Sequence, residues 1–113
     1  MAYNKFGNRK VKTEEGTFDS EMEYTRWLHL KLLQQAGHIT NLRRQVSYVF
    51  LHNNILIGTY KADAVYEEEG VEIVEDVKGV RTAVYQLKKK MMRAFHGITI
   101  REIGKEEMKV QRA

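Results

Sequence analysis

The run Val74-Glu75-Asp76-Val77-Lys78-Gly79 carries the first chemistry legible in this chain. A strand alternates faces with a period of two, so Asp76 and Lys78 are expected on one side and Glu75 on the other. A carboxylate beside an ammonium at a strand end can hold a divalent cation and activate a water next to it. A second acid, Asp63, lies upstream in another strand-like run, Tyr60-Lys61-Ala62-Asp63-Ala64-Val65-Tyr66. There, alternation places Lys61, Asp63 and Val65 on one face; on the later run it groups Glu72, Val74, Asp76 and Lys78. Two acids facing each other on adjacent strands repel unless a cation sits between them, which is why the pair suggests a metal. The plain alternative is two solvated acids. Asp is disfavoured inside strands and both have apolar neighbours, which counts against it.

Three further residues have two readings each. Glu23 completes a capping box with Ser20, or serves as a third carboxylate presented by a helix, since Trp27 and Leu30 follow it at helical spacing on an inward face. Glu21 is equally close in sequence. Lys78 either pairs with Asp76 or lowers the pKa of a water bound to a nearby metal. Glu75 can be counted in an acid-x-x-lysine pattern, but alternation turns it away from Asp76, and a helper or structural acid is the expectation.

These residues need elements to hold them. Residues 1–12 read as a basic arm, with Lys5, Arg9, Lys10 and Lys12, entering a short strand near Val11. Glu15-Gly16 reads as a turn. Asp19 or Ser20 caps a first helix whose apolar face is expected to be Tyr24, Trp27, Leu28 and Leu32, widened by Leu30 and Leu33, and which ends at Gly37. Strands follow at 45–51, about 55–66 and 71–78, joined by turns at His52-Asn53-Asn54 and at Glu67 to Gly70. A loop over 79–82 leads to a helix at about 83–95, with Val84, Leu87, Met91 and Phe95 on one face. A last strand spans 98–103 and a tail 104–113 closes the chain. The order α-β-β-β-α-β makes a meander followed by a right-handed crossover, hence an α/β (α+β) fold with a mixed central sheet flanked by helices.

The bulk numbers bound the options. The 113 residues fit one domain. No apolar run is long enough to span a bilayer and no signal-peptide pattern is present, so a cytoplasmic protein is expected. Cys is absent and the four histidines are scattered, so any metal is held by carboxylates and carbonyls, which favours magnesium or manganese over zinc. Residues 1–77 carry nine Lys/Arg against twelve Asp/Glu, while residues 78–113 carry ten against three. An acidic strand region beside a basic C-terminal third suits a metal site next to a phosphate-binding surface.

An acid on one strand and acid-x-lysine on the next resembles the PD-(D/E)xK nucleases, and the α-β-β-β-α-β order matches their restriction-endonuclease-like core. Phe18-Asp19-Ser20 opening a Glu-bearing helix, Glu75-Asp76-Val77-Lys78-Gly79 and a lysine-rich helix are similar to one small phage-encoded family of uncharacterised proteins, related to Holliday junction resolvases. The resemblance implies that Asp63, Asp76 and the Val77 carbonyl, helped by Glu23, bind Mg2+ or Mn2+, with Lys78 beside the scissile phosphate. It places Lys88 near that phosphate and gives Gln45 a share in orienting DNA. Lys89, Lys90 and Arg93, with Lys10 in the arm, are expected to grip the DNA backbone with little sequence preference.

The function so implied is a metal-dependent endodeoxyribonuclease of phage replication or recombination, acting on branched DNA in the host cytoplasm. Paired symmetric cuts call for a homodimer, whose interface is expected at Trp27 and Tyr48 or along 98–103. The alternatives are a nickase or flap endonuclease, a catalytically silent DNA-binding module, and a structural phage protein that borrows the fold.

Overall fold

A computed structural model describes residues 10–78 and 81–105. A small hairpin comes first, β1 (Val11–Thr13) and β2 (Gly16–Phe18), turning at Glu14-Glu15. Then come α1 (Glu21–Gln35), β3 (Thr40–His52), β4 (Ile55–Glu68), β5 (Val71–Val77), α2 (Ala83–His96) and β6 (Arg101–Ile103). The four later strands form one sheet in the order β3-β4-β5-β6. Its first two pairings are antiparallel and the third is parallel. The expected α+β class and mixed sheet are therefore present, with the β1–β2 hairpin added in front. Most of the arm at 1–12, and of the tail at 104–113, lies outside the described residues. Among the described residues no helix is long and apolar enough to cross a membrane.

Local chemistry accounts for the element ends. Ser20 Oγ accepts the Glu23 N–H at 3.0 Å and starts α1; Thr82 Oγ1 accepts the Tyr85 N–H at 3.1 Å and starts α2. Asn53 and Asn54 both have positive φ, the conformation that a two-residue hairpin loop requires. Gly97 caps α2 at φ +67, where a side chain would be strained.

The two helices cover opposite faces of the sheet. Tyr85 and Met92 of α2 pack on Phe50, Tyr60, Ala62, Val65, Val74 and Ile100; Leu30 of α1 packs with Ile39, Ala64 and Tyr66. Both helices are rotated from the expected register. In α2 the buried residues are Tyr85 and Met92, leaving Val84 64% and Leu87 58% exposed. In α1 the buried face is Glu23, Arg26 and Leu30, while Leu28 and Leu32 face solvent. An apolar stripe predicts the buried face only when the core accepts apolar groups alone, and here the sheet presents Glu75 and Glu102 to the helices.

Strand lengths differ too. Strand β3 starts at Thr40, so Gln45 lies inside it and does not open it, and β6 is confined to Arg101–Ile103. At Asp63 the alternation of faces fails. Ala62 packs under α2 but Ala64 packs under α1, although two residues apart should share a face. The β3/β4 ladder skips the Gln45/Asp63 pair, and Gln45 sits at φ +56. A non-glycine residue there costs about 1–2 kcal/mol, a strain that concentrates at functional positions. The expected grouping of Lys61, Asp63 and Val65 on one face therefore does not hold: Val65 is buried under α2, Lys61 is exposed, and Asp63 turns into a cavity on the α1 side.

Candidate functional site

The β4/β5 ladder ends at Ala64 opposite Glu75; Asp76 and Val77 then pair only with β6. The two strands part at this point, and the acids gather in the gap. Asp63 Oδ2 accepts the Val77 N–H at 2.8 Å, replacing the lost ladder bond with a side chain. A residue's N–H and C=O share a side in an extended strand, so the Val77 carbonyl faces the same gap. Asp76 is 2% exposed, and its Oδ2 accepts the Tyr60 hydroxyl at 2.5 Å and lies 3.5 Å from Lys78 Nζ. Asp76 and Lys78 share a side, as alternation requires.

Glu23 reaches the same place from the first turn of α1. It lines a small cavity with Asp63, Val77, Glu75, Phe18 and Arg26. Gln45 Nε2 donates to Glu23 Oε1 at 3.4 Å, and Arg44 lies 3.9 Å from that oxygen. Asp63, Asp76, Val77, Lys78, Glu23 and Gln45 are thus brought together from four elements and the residue after β5.

The electrostatics follow from burial and crowding. Burial, then the adjacent Asp76 carboxyl, then Glu23 hold the Asp63 carboxyl well above the ordinary carboxylate range, against the Val77 N–H, which lowers it. Glu23 is raised by burial and by Asp19 and Asp76, against Arg44 and Lys78. Asp63, its pKa pushed up to about 10, stands with Asp76 and the Val77 carbonyl as a donor set of oxygens alone, which fits a hard dication such as magnesium. Asp63, Asp76 and the Val77 carbonyl are the groups that would hold it. Among the described residues no three His, Asp or Glu side chains form a ready cage.

Glu75 turns the other way. It is fully buried and receives Arg26 through Nε at 2.7 Å and NH2 at 2.8 Å, and the Tyr66 hydroxyl at 2.6 Å. It is the structural acid that alternation predicts.

A family model described as "Protein of unknown function (DUF1064)" matches residues 3–106. The chain belongs to the DUF1064 family. No curated protein and no solved structure matches it.

The cations of this DUF1064 chain divide differently from expectation. Lys89 is bound to Glu102 at 3.2 Å, so it is not a free backbone grip. Lys88 is half-buried on α2, Lys90 and Arg93 are exposed, and Lys10 pairs on the surface with Asp19 at 3.3 Å. Two expected interface residues are engaged internally: Trp27 Nε1 donates to Glu15 at 3.1 Å, and the Tyr48 ring packs on His96. Strand β6 lies at an edge of the four-stranded sheet, as the alternative along 98–103 requires.

Sequence reasoning missed Tyr60, Arg26, Arg44 and Tyr85. Tyr60 reads as an ordinary strand aromatic, yet its hydroxyl fixes Asp76. Arg26 stands three residues after Glu23 on one helical face, a spacing that marks it for the same inner surface. Arg44 stacks on Phe18, its guanidinium carbon 3.9 Å from the ring centre, and donates to the Thr17 carbonyl at 3.1 Å.

Proposed function

We propose that this DUF1064 protein is a magnesium- or manganese-dependent endodeoxyribonuclease of the PD-(D/E)xK kind, hydrolysing DNA phosphodiester bonds with selectivity for branched DNA. One observation supports the reading above the others: Asp63, Asp76 and Lys78 converge in the gap between β4 and β5, where, among the described residues, Lys78 is the cation paired with the buried aspartates. A dication held by Asp63, Asp76 and the Val77 carbonyl supplies an acidified water and charge neutralisation on the phosphate.

The chain's own residues do the rest. The Tyr60 hydroxyl and the Val77 N–H each fix one oxygen of an aspartate, so the two carboxyls keep their orientation without substrate. Lys78 offers an ammonium where charge develops on the phosphate oxygens, so it contributes more to the transition state than to binding. Glu23, whose pKa burial raises, stands on the α1 side of the same gap. Lys88, Lys90 and Arg93 on α2 present positive charge to the phosphate backbone without reading bases. One chain carries one site, so paired cuts in a four-way junction call for a two-fold dimer. A Holliday junction resolvase of phage recombination, working in the host cytoplasm, is the specific reading.

The test is cleavage of four-way junction, flap, single-stranded and linear duplex DNA with magnesium, manganese or EDTA. Metal-dependent cuts placed symmetrically in the junction support the resolvase; cuts only at flaps or nicks reassign the substrate; no cleavage of any form with either metal overturns the enzyme.

A further inference from the structure

Lys78 has two neighbours, and one holds it loosely. Its ammonium is 3.5 Å from Asp76 Oδ2, longer than the 2.7–2.9 Å of a good charge-assisted hydrogen bond, and that oxygen already accepts the Tyr60 hydroxyl. The other neighbour is the face of Tyr85, whose ring centre is 4.5 Å from Lys78 Nζ. An ammonium within about 6 Å of an aromatic face is attracted by the ring quadrupole, most strongly where water is excluded. Tyr85 is 5% exposed.

The ring itself is clamped. Its backbone N–H bonds Thr82 at the start of α2, and its hydroxyl donates to Glu102 Oε2 at 2.7 Å. Glu102 stands opposite Asp76 in the β5/β6 register and also receives Arg81 Nε at 3.1 Å and Lys89 Nζ at 3.2 Å. Three donors on one carboxylate fix the tyrosine tip, and the tip fixes the ring over Lys78.

We propose that Tyr85 is a positioning residue for Lys78: its ring seats the ammonium at the candidate reacting centre even when Asp76 is engaged elsewhere, and Glu102 holds the ring in place. The consequence for catalysis rests on the nuclease reading; the seat itself does not. A carboxylate that has taken a metal attracts an ammonium less, whereas an aromatic face keeps its attraction. The clamp also explains why Lys89 is spent on Glu102 and does not lie free on the surface of α2.

The test has two arms on the full chain. By NMR, the Lys78 ε-methylene protons, assigned through Lys78→Arg, should lie upfield of the other lysines because of the ring current. The shift should shrink in Tyr85→Phe, which keeps the ring but loses its Glu102 clamp, and vanish in Tyr85→Leu. In single-turnover cleavage with magnesium, Tyr85→Leu should be roughly three- to thirty-fold slower, the rate equivalent of a cation–π contact, with DNA affinity in calcium unchanged, and Tyr85→Phe, which keeps the ring but loses the Glu102 clamp, should fall between Tyr85→Leu and wild type. An unshifted Lys78 in the wild type overturns the seat, and this arm needs no folded variant at Tyr85. Equal losses in Phe and Leu variants, or full activity in Tyr85→Leu, overturn the positioning role. If no form cleaves DNA, the nuclease reading fails while the NMR arm still decides the seat.

Discussion

Glu75 and Asp76 are neighbours on β5, equally buried and on opposite faces, and their surroundings differ in one respect. Glu75 meets a guanidinium bidentately and a tyrosine hydroxyl, so its charge is matched inside the protein. Asp76 meets a second acid, a tyrosine hydroxyl and a lysine at 3.5 Å, so charge on its side is matched only in part. Burying a charge without a partner costs several kcal/mol. A fold that accepts this on one face and avoids it on the other leaves room for a cation from outside on the first. The comparison separates a carboxylate whose charge is matched inside the protein from a pair matched only in part, which residue type alone cannot do.

The largest effect should come from breaking the partly matched side. Asp63→Ala and Asp76→Ala are each expected to lower magnesium-dependent cleavage about 10^3-fold or more while leaving a folded protein. Circular dichroism beside a cleavage assay checks both halves, and wild-type cleavage by either variant sinks the site. Breaking the matched side should do the reverse. Glu75→Ala strands the Arg26 guanidinium and should cost about 3–5 kcal/mol in urea unfolding. A loss under about 1 kcal/mol would mean that the Arg26–Glu75 pair does not lock α1 to the sheet.

Lys78→Ala should slow single-turnover cleavage about 10^2-fold and leave DNA affinity in calcium nearly intact. Equal losses in rate and affinity would make Lys78 a plain phosphate contact.

A smaller effect sharpens the contrast through pH. Asp63 has its folded pKa raised by burial and by Asp76, so the folded state holds a proton that the unfolded chain releases. That contribution is fully present below the unfolded carboxylate pKa and is lost as pH rises toward the raised folded value. Glu23 acts in the same direction, and His29, lowered mainly by burial, acts in the opposite one near its own range. In EDTA, the metal-free protein should therefore lose stability between pH 5 and pH 8 relative to Asp63→Asn, whose melting should be flatter over that window. Magnesium should restore wild-type stability at pH 8 and do little for Asp63→Asn. Parallel curves for the two proteins would show that Asp63 ionises normally. Smallest of all, Lys10→Ala breaks only an exposed pair with Asp19 and should change stability by less than about 1 kcal/mol.

Much of this was already determined by the sequence. Period-two alternation alone separated Asp76 and Lys78 from Glu75, because a strand end leaves side chains no other choice. Ser20, Asn53-Asn54, Gly37 and Gly97 marked ends and turns through local hydrogen bonding and positive φ, which need no distant partner. Tertiary structure decided the rest. The faces of α1 and α2 were set by where Glu75 and Glu102 found cations and hydroxyls, a demand from the sheet that outweighed the apolar stripes of the helices. The turn of Asp63 out of its strand face depends on Gln45 adopting a left-handed conformation eighteen residues earlier in the chain, a coupling that only strand pairing creates. The seat of Lys78 on Tyr85 likewise depends on the crossover that lays α2 over β5 and brings Glu102 beside Asp76. Local preferences act over a few residues and can be read in order along the chain; charge matching and ring contacts act across the fold, between residues that only packing makes neighbours.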